Sequence, residues 1–348
     1  MKTGINNLVD AMGDEAHKVE NVLQDKYLGD IISVDGKNTK NIAAKVSKAI
    51  GIVKKVRDTL DDMCLGPYFF EVAVTFRNSL FLNGILTNLE ASYGLKEDEV
   101  SELEKMDESL LRAILECPRS VPKEVLYLEV GVTPLRYILM SRCLIFYQYI
   151  VQEPPQSLIR RFYETQSEKP TKNDWCQTIK CNLVTLNVSS SEHDIRKMSK
   201  FVFMKKINHA IKQEAYIYLQ KIKSTHSKVL HIQYNRLEMQ SYFLSQKMPI
   251  LMAKFTFLCR TRMLQVGANF KGGNNFPVCP LCEISYDNQS HLLVRQKLTD
   301  KEICKQVPKY EDIFSNNVVK MLSVVTNMNL RFKKRQKLLS KTQKVTRY

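Results

Sequence analysis

Apolar residues recur at Ile42, Val46, Ala49, Val53, Val56 and Leu60, in steps of four and three that only an α-helix gathers into a single stripe. The Asp35-Gly36 turn precedes this run, and Asn38 or Thr39 is placed to cap the helix. Lys40, Lys45, Lys48, Lys54, Lys55 and Arg57 lie between the apolar positions. The same helix is therefore expected to turn a basic side to solvent, suited to phosphate contact or to ordinary solvation.

Similar spacing dominates the rest of the chain. With 12 glycines and 11 prolines in 348 residues, long segments run without a breaker, and strand signal is thin. The fold class is mainly α. A second helix is expected from Pro67 to about Leu89, apolar around most of its circumference, and a third from about Glu97 to Leu115 with the acidic first half that a helix dipole favours. Pro118, Pro122, Gly131 and Pro134 then break the chain before a helix from about Leu135 to Val151. Further helices are expected over about 157–166, 174–186, 192–223 and 250–264, and Ser189-Ser190-Ser191 is a loop that could cap the 192–223 stretch. Trp175 is expected to be a packing anchor.

Lys plus Arg number 52 against 36 for Asp plus Glu, a formal net charge of +16. Such an excess favours polyanionic partners, nucleic acid foremost. No apolar run reaches the roughly 18–20 residues of a membrane span, and the N-terminus lacks the basic-then-apolar order of a signal peptide. The expected location is intracellular, nuclear or cytoplasmic, with no membrane partner. The 9 cysteines, an odd number with one close pair, fit reduced thiols better than a disulfide framework.

That close pair, Cys279-Pro280-Leu281-Cys282, is followed by His291. Two thiols and an imidazole at this spacing can meet on one tetrahedral zinc ion. Arg295 stands where a fourth ligand would follow, and a guanidinium stays protonated and cannot ligate. Cys304 or water is left for the fourth position. Zn²⁺ is thus the one cofactor the sequence suggests, at an incomplete site, with Phe276 and Tyr286 nearby as stacking platforms or as the floor of the module. After Asp312 there is no acidic residue, while Lys333, Lys334 and Arg335 belong to a basic tail that is expected to be a frayed, solvated end, a nuclear-import address or a segment in contact with phosphates. His193, His209, His226 and His231 show no metal-ligand spacing and are expected at the surface or at interfaces.

The segment Lys26-Tyr27-Leu28-Gly29-Asp30-Ile31-Ile32, followed by the Asp35-Gly36 turn and the basic helix, resembles the end of the palm and start of the thumb in non-LTR (LINE-type) retrotransposon reverse transcriptases. Arg77-Asn78-Ser79-Leu80, Leu86-Thr87-Asn88 with Glu90, and Leu126-Tyr127-Leu128-Glu129-Val130-Gly131 with Pro134-Leu135-Arg136 are similar to the post-palm region of the restriction-like-endonuclease group. Those elements also carry a late Cys-Cys-His-Cys knuckle, which Cys279, Cys282 and His291 match in three positions. The resemblance implies a palm remnant with a β-hairpin primer grip at 1–35, a helical thumb at 36–132, a helical linker at 133–275, a degenerate knuckle at 276–297 and a basic tail at 298–348. It implies contact with RNA, DNA or an RNA–DNA hybrid through Tyr27, Leu28 and Gly29 of the grip and the basic residues of the thumb and tail.

The departures from the family bear on chemistry. Its polymerases hold a pair of Mg²⁺ ions on a Tyr-x-Asp-Asp hairpin and an upstream Asp, which would lie before the grip, so no Mg²⁺ site is expected in this chain. Asp61-Asp62 ends an amphipathic helix and Asp35-x-Lys37 occupies a turn; no Pro-Asp pair of a restriction-like nuclease occurs. The expectation is a nucleic-acid-binding C-terminal fragment without polymerase chemistry of its own, with a palm or full-length element protein acting in trans as a partner. The other reading is a domesticated or relic helical protein that serves as an interaction scaffold.

Overall fold

The computed structural model describes residues 24–27, 30–33, 37–92, 95–168, 174–188, 191–264, 266, 278–282, 286–294 and 309–345. Two short strands, β1 (Gln24–Tyr27) and β2 (Asp30–Ser33), pair antiparallel, with Tyr27 opposite Asp30 and Gln24 opposite Ser33. All remaining regular structure among the described residues is helical. The chain thus matches the mainly-α expectation with one small hairpin.

The helix read from the four-and-three spacing is α1 (Thr39–Asp62). It buries Ile42, Ala49, Val56 and Leu60 and packs chiefly against α4. Asn38 occupies the cap position without a side-chain capping bond. The segment from 66 to 91 departs from the single helix expected. A 3₁₀ turn at Gly66–Tyr68 leads into α2 (Phe69–Phe76), a π-helical turn at Arg77–Leu82, α3 (Asn83–Leu86) and a second 3₁₀ turn at Leu89–Ala91. An all-round apolar pattern does not reveal such changes of winding. The π-turn matters because it delivers Arg77 to the interior.

The next helix, α4 (Glu97–Leu115), has the predicted bounds, with Glu99 bonding back to the Lys96 amide at 3.0 Å. It is followed by α5 (Lys123–Val130), which the proline-rich stretch did not announce, and by α6 (Leu135–Gln152). Seven of the eight α5 residues are buried, so no polar face marked it as amphipathic. Around α6 lie α7 (Leu158–Glu168), α8 (Trp175–Thr185), α9 (Glu192–Lys197) and α10 (Lys200–Lys223). The predicted 192–223 helix is two helices. Met198 is extended between them, and the Ser199 hydroxyl accepts from the Val202 amide at 3.3 Å to start the second. Trp175 does anchor its helix: its Nε1 donates to the Glu90 carbonyl at 2.8 Å, and its ring meets Phe146, Tyr147 and Tyr163 edge-on.

The remaining α-helices among the described residues are α11 (Ser241–Leu244), α12 (Ile250–Arg260), α13 (Gln289–Val294) and α14 (Val318–Val345), with 3₁₀ turns at Ser227–Val229 and Tyr310–Phe314. The tail read as frayed or phosphate-bound is mostly this last helix. It buries Met321, Val324, Val325 and Met328 and packs against α12 and α13.

Two buried polar clusters hold these layers together. In the first, Arg77 forks onto Asp107 with both bonds at 2.6 Å, reaches the Thr133 carbonyl at 2.9 Å, and shares Asp107 with the Tyr127 hydroxyl at 3.2 Å. Burial opposes the charge on Arg77, but Asp107 beside it more than restores its affinity for the proton. In the second, Glu129 accepts from Tyr234 at 2.8 Å, Tyr242 at 2.6 Å and Arg260 at 3.0 Å. Burial, and then the Glu129 charge, push both tyrosines well above their ordinary range, so they remain donors. Removing one member of such a cluster leaves a charge without its partner, at a cost of about 3–5 kcal/mol. Next to this cluster Gly131 takes φ +71°, and a Cβ there would come within 2.0 Å of the Met239 amide nitrogen. Only glycine fits.

Candidate nucleic-acid interface and metal centre

The basic residues of α1 divide by face. Lys40, Lys48, Lys54, Lys55 and Arg57 are exposed. Ala43, Ala44, Ser47 and Gly51 lie among them on the same outer side, also exposed, and a Cβ on Gly51 would meet nothing within 4 Å. Small side chains between lysines let a flat or rod-like partner come close to the helix backbone. Over 24 residues the helix is about 36 Å long.

Lys45 is a correction. It points inward, its ammonium donating to the Thr87 carbonyl at 2.7 Å and pairing with Asp30 at 2.7 Å, with only 6% of its side chain accessible. Burial raises the Asp30 carboxyl, but the bonds from Lys45, Asn88 and Asn41 outweigh it and hold it below its usual range. Lys45 therefore fastens the hairpin to α1 and to the end of α3. It is not a surface cation, because Asp30, fifteen positions earlier, required a partner. Of the grip residues, Tyr27 closes β1 opposite Asp30, while Leu28 and Gly29 lie outside the described residues, as do Asp35 and Gly36.

Arg335 is the second correction. Its guanidinium forks onto Asp287, with Nε 3.1 and 3.0 Å from the two carboxylate oxygens and Nη2 closer still, and both side chains are buried. Arg331, four residues earlier, is buried as well and donates to the Leu292 carbonyl at 2.7 Å. Lys333 and Lys334 remain exposed. Among its described side chains, the C-terminal helix thus turns Arg331 and Arg335 into the molecule and Lys320, Lys333, Lys334 and Lys337 out.

The predicted metal ligands come together. One donor atom from each of Cys279, Cys282 and His291 lies within 4.8 Å of the others, and Cys282 Sγ is 3.3 Å from His291 Nε2. Tetrahedral zinc sets neighbouring donors about 3.5 Å apart, so the group could hold a metal ion. The local fold explains the convergence. The Cys282 amide donates to the Cys279 carbonyl at 3.1 Å, turning the chain between the two thiols, and Val278 bridges Tyr286 across the module. Asn288 Oδ1 accepts from the His291 amide at 2.8 Å and starts the short helix that carries the imidazole. Burial raises the Cys279 thiol, and the nearby Cys282 and Asp287 add to this against a backbone bond from Leu281. A metal would displace that proton on binding. Arg295, Cys304 and Phe276 lie outside the described residues. Tyr286 is 40% exposed.

This module is built into the body of the protein. Gln289 accepts from the Leu264 amide at 3.2 Å and donates to the Cys259 carbonyl at 2.9 Å and to the Tyr310 hydroxyl at 3.1 Å. With the Asp287–Arg335 and Leu292–Arg331 bonds, it fixes α13 between α12 and α14. Sequence reasoning missed this frame, since its partners are 21 to 48 residues apart.

Of the four histidines, His193 and His209 are exposed, and His226 is 3.5 Å from Glu124. His231 is half-buried, donates from Nε2 to the Arg260 carbonyl 3.1 Å away, and meets the Phe314 ring edge-on. Burial, then the charges of Arg262, Arg260 and Lys223, lower its pKa to about 4.

No family model matches the chain, and no curated protein or solved structure matches it. No helix among the described residues is long and apolar enough to cross a membrane.

Proposed function

We propose that this protein binds nucleic acid through phosphate contacts along the outer face of α1, in the manner of the thumb, linker and knuckle region of a non-LTR retrotransposon reverse transcriptase. The observation that carries the reading is the row of exposed cations, Lys40, Lys48, Lys54, Lys55 and Arg57, on a helix whose outer side also carries the small residues Ala43, Ala44, Ser47 and Gly51 beside Ile50 and Asp58. Lys333 and Lys334 on α14 add a second basic surface beside the Cys279–Cys282–His291 group. The resemblance motifs also meet in space: Arg77 of one block and Tyr127 of another share Asp107, and Glu129 sits in the neighbouring cluster. On this reading those motifs are the framework that holds the thumb rigid, the Cys₂His group binds Zn²⁺ with a fourth ligand still to be assigned, and no polymerase step is attributed to the chain.

The test is fluorescence anisotropy with single-stranded RNA, duplex DNA and an RNA–DNA hybrid at several salt concentrations, with and without Zn²⁺. Affinity should fall about 10³-fold or more between 50 and 200 mM salt if about six phosphates are engaged. Binding that ignores salt would overturn the proposal. It would favour the scaffold reading, for which Leu158 and Phe162, one turn apart on α7 and 84% and 65% exposed, offer an apolar contact.

A further inference from the structure

Three cavities line up on the side of the molecule where the hairpin meets the helices. One, of about 490 Å³, lies between the hairpin and α1 and is bordered by Lys26 and Lys48. It shares Asp30 and Ile31 with a second of about 490 Å³, to which Lys37 and Asn88 contribute. The second shares Glu90 and Phe146 with a third of about 410 Å³ against α6, bordered by Arg142, Tyr149 and Lys200. Together they form a groove that starts beside the lysines of α1 and ends at an aromatic surface.

The far end has the parts of a base-binding site. Phe146 and Tyr149 are stacked, with centroids 6.1 Å apart and 18° between planes, and Tyr149 is 52% exposed. Trp175 braces Phe146 edge-on at 5.9 Å. Glu90 borders both neighbouring cavities, and its main chain is held by the Trp175 indole. Its Oε2 is sealed from solvent and has no hydrogen-bond partner among the described residues. Arg142 and Lys200 border the same cavity, yet neither forms an ion pair with it; Arg142 instead donates to Asn83 Oδ1 at 2.5 Å. A buried acceptor without a donor is unfavourable, and turning the Glu90 carboxylate into the cavity to meet a ligand that carries N–H groups would relieve it.

We infer that this cavity takes one unpaired guanine nucleotide of a bound strand. The inference rests on the nucleic-acid reading above and specifies it. A carboxylate only accepts, and guanine alone among the common bases offers two adjacent N–H donors on its Watson–Crick edge, one for each oxygen. The Phe146–Tyr149 surface supplies stacking, as single-stranded recognition requires. Arg142 and Lys200 supply charge for the phosphate. The volume suits a nucleotide.

The test uses the full chain and titrates 5′-GMP, 5′-AMP, 5′-CMP, 5′-UMP and inorganic phosphate by calorimetry, beside the hybrid-binding assay. GMP should bind about tenfold or more tighter than the other nucleotides, and Glu90→Gln should erase that preference while hybrid affinity changes little. Tyr149→Ala, at an exposed position, should weaken all four nucleotides together, and thermal melting of both variants verifies that they fold. Equal binding of the four nucleotides, binding no better than phosphate, or a preference that survives Glu90→Gln would overturn the inference. If that occurs while hybrid binding stays salt-steep, the α1 interface stands without the base pocket. A Glu90-dependent GMP preference without salt-sensitive hybrid binding would instead remove the α1 interface and keep the pocket.

Discussion

Helices α1 and α14 look alike as sequence, each a long run in which lysines and arginines interrupt apolar residues, yet the structure uses their cations differently. On α1 five of the six basic residues singled out face solvent, and Lys45 alone turns in to Asp30 and Thr87. On α14 Lys320, Lys333, Lys334 and Lys337 face out while Arg331 and Arg335 reach the Leu292 carbonyl and Asp287. The difference follows from what lies beneath each helix. The underside of α1 meets an apolar face of α4, whereas α14 covers a module whose short helix leaves carbonyls and a carboxylate for arginine forks to satisfy. A basic residue is a surface feature only where the neighbouring element has already satisfied its own polar groups.

This contrast can be broken most severely at Arg335. Arg335→Ala should cost about 3–5 kcal/mol in urea unfolding, because Asp287 is left buried without its counterion, and should increase amide exchange along α14; a change under 1 kcal/mol would mean the fork is ornamental. Lys45→Ala should cost about 2–3 kcal/mol by the same reasoning with one partly exposed partner, detaching the hairpin while leaving α14 protected from exchange. Acid should separate the regions by another route. The folded state depresses the His231 pKa from 6.5 to about 4, so the stability it contributes is present above pH 6.5 and is lost as pH falls toward 4. That loss, at most about 2 kcal/mol after allowing for partial exposure, should appear first near Arg260 and Phe314 at the foot of α14, and His231→Phe should flatten it. The smallest effect on stability, within about 0.5 kcal/mol, is expected for Lys54→Ala with Lys55→Ala. That pair should nevertheless weaken nucleic-acid binding and lower the salt slope by about one per lysine lost. Unchanged affinity would move the interface away from α1.

The contrast also shows what could be read beforehand. The α1, α4 and α6 helices were legible because their apolar spacing persists over many turns, and the cysteine pair with His291 was legible because a metal site needs few residues at short spacing. The winding change at Arg77 was not, since every residue from Phe76 to Leu82 except three is apolar and no periodicity separates an α-turn from a π-turn there. Lys45 and Arg335 were misplaced for a different reason. Each is held by a carboxylate on another element, Asp30 and Asp287, and helical spacing carries no information about partners 15 or 48 residues away. The break at Met198 left a trace in Ser199, a capping residue inside an otherwise continuous pattern.

Glu129 has one further consequence, for the order in which the chain can fold. Its three side-chain partners lie 105, 113 and 131 residues downstream, so during synthesis this carboxylate is made long before anything that can satisfy it. Until Arg260 has left the ribosome, the Glu129 carboxylate of α5 lacks its cationic partner, and the layers around it should remain loosely collapsed and prone to self-association. A nascent chain arrested before Arg260 should therefore be far more sensitive to protease around α5 than one arrested after it, making that single arginine the latch of an otherwise local, fast-forming set of helices.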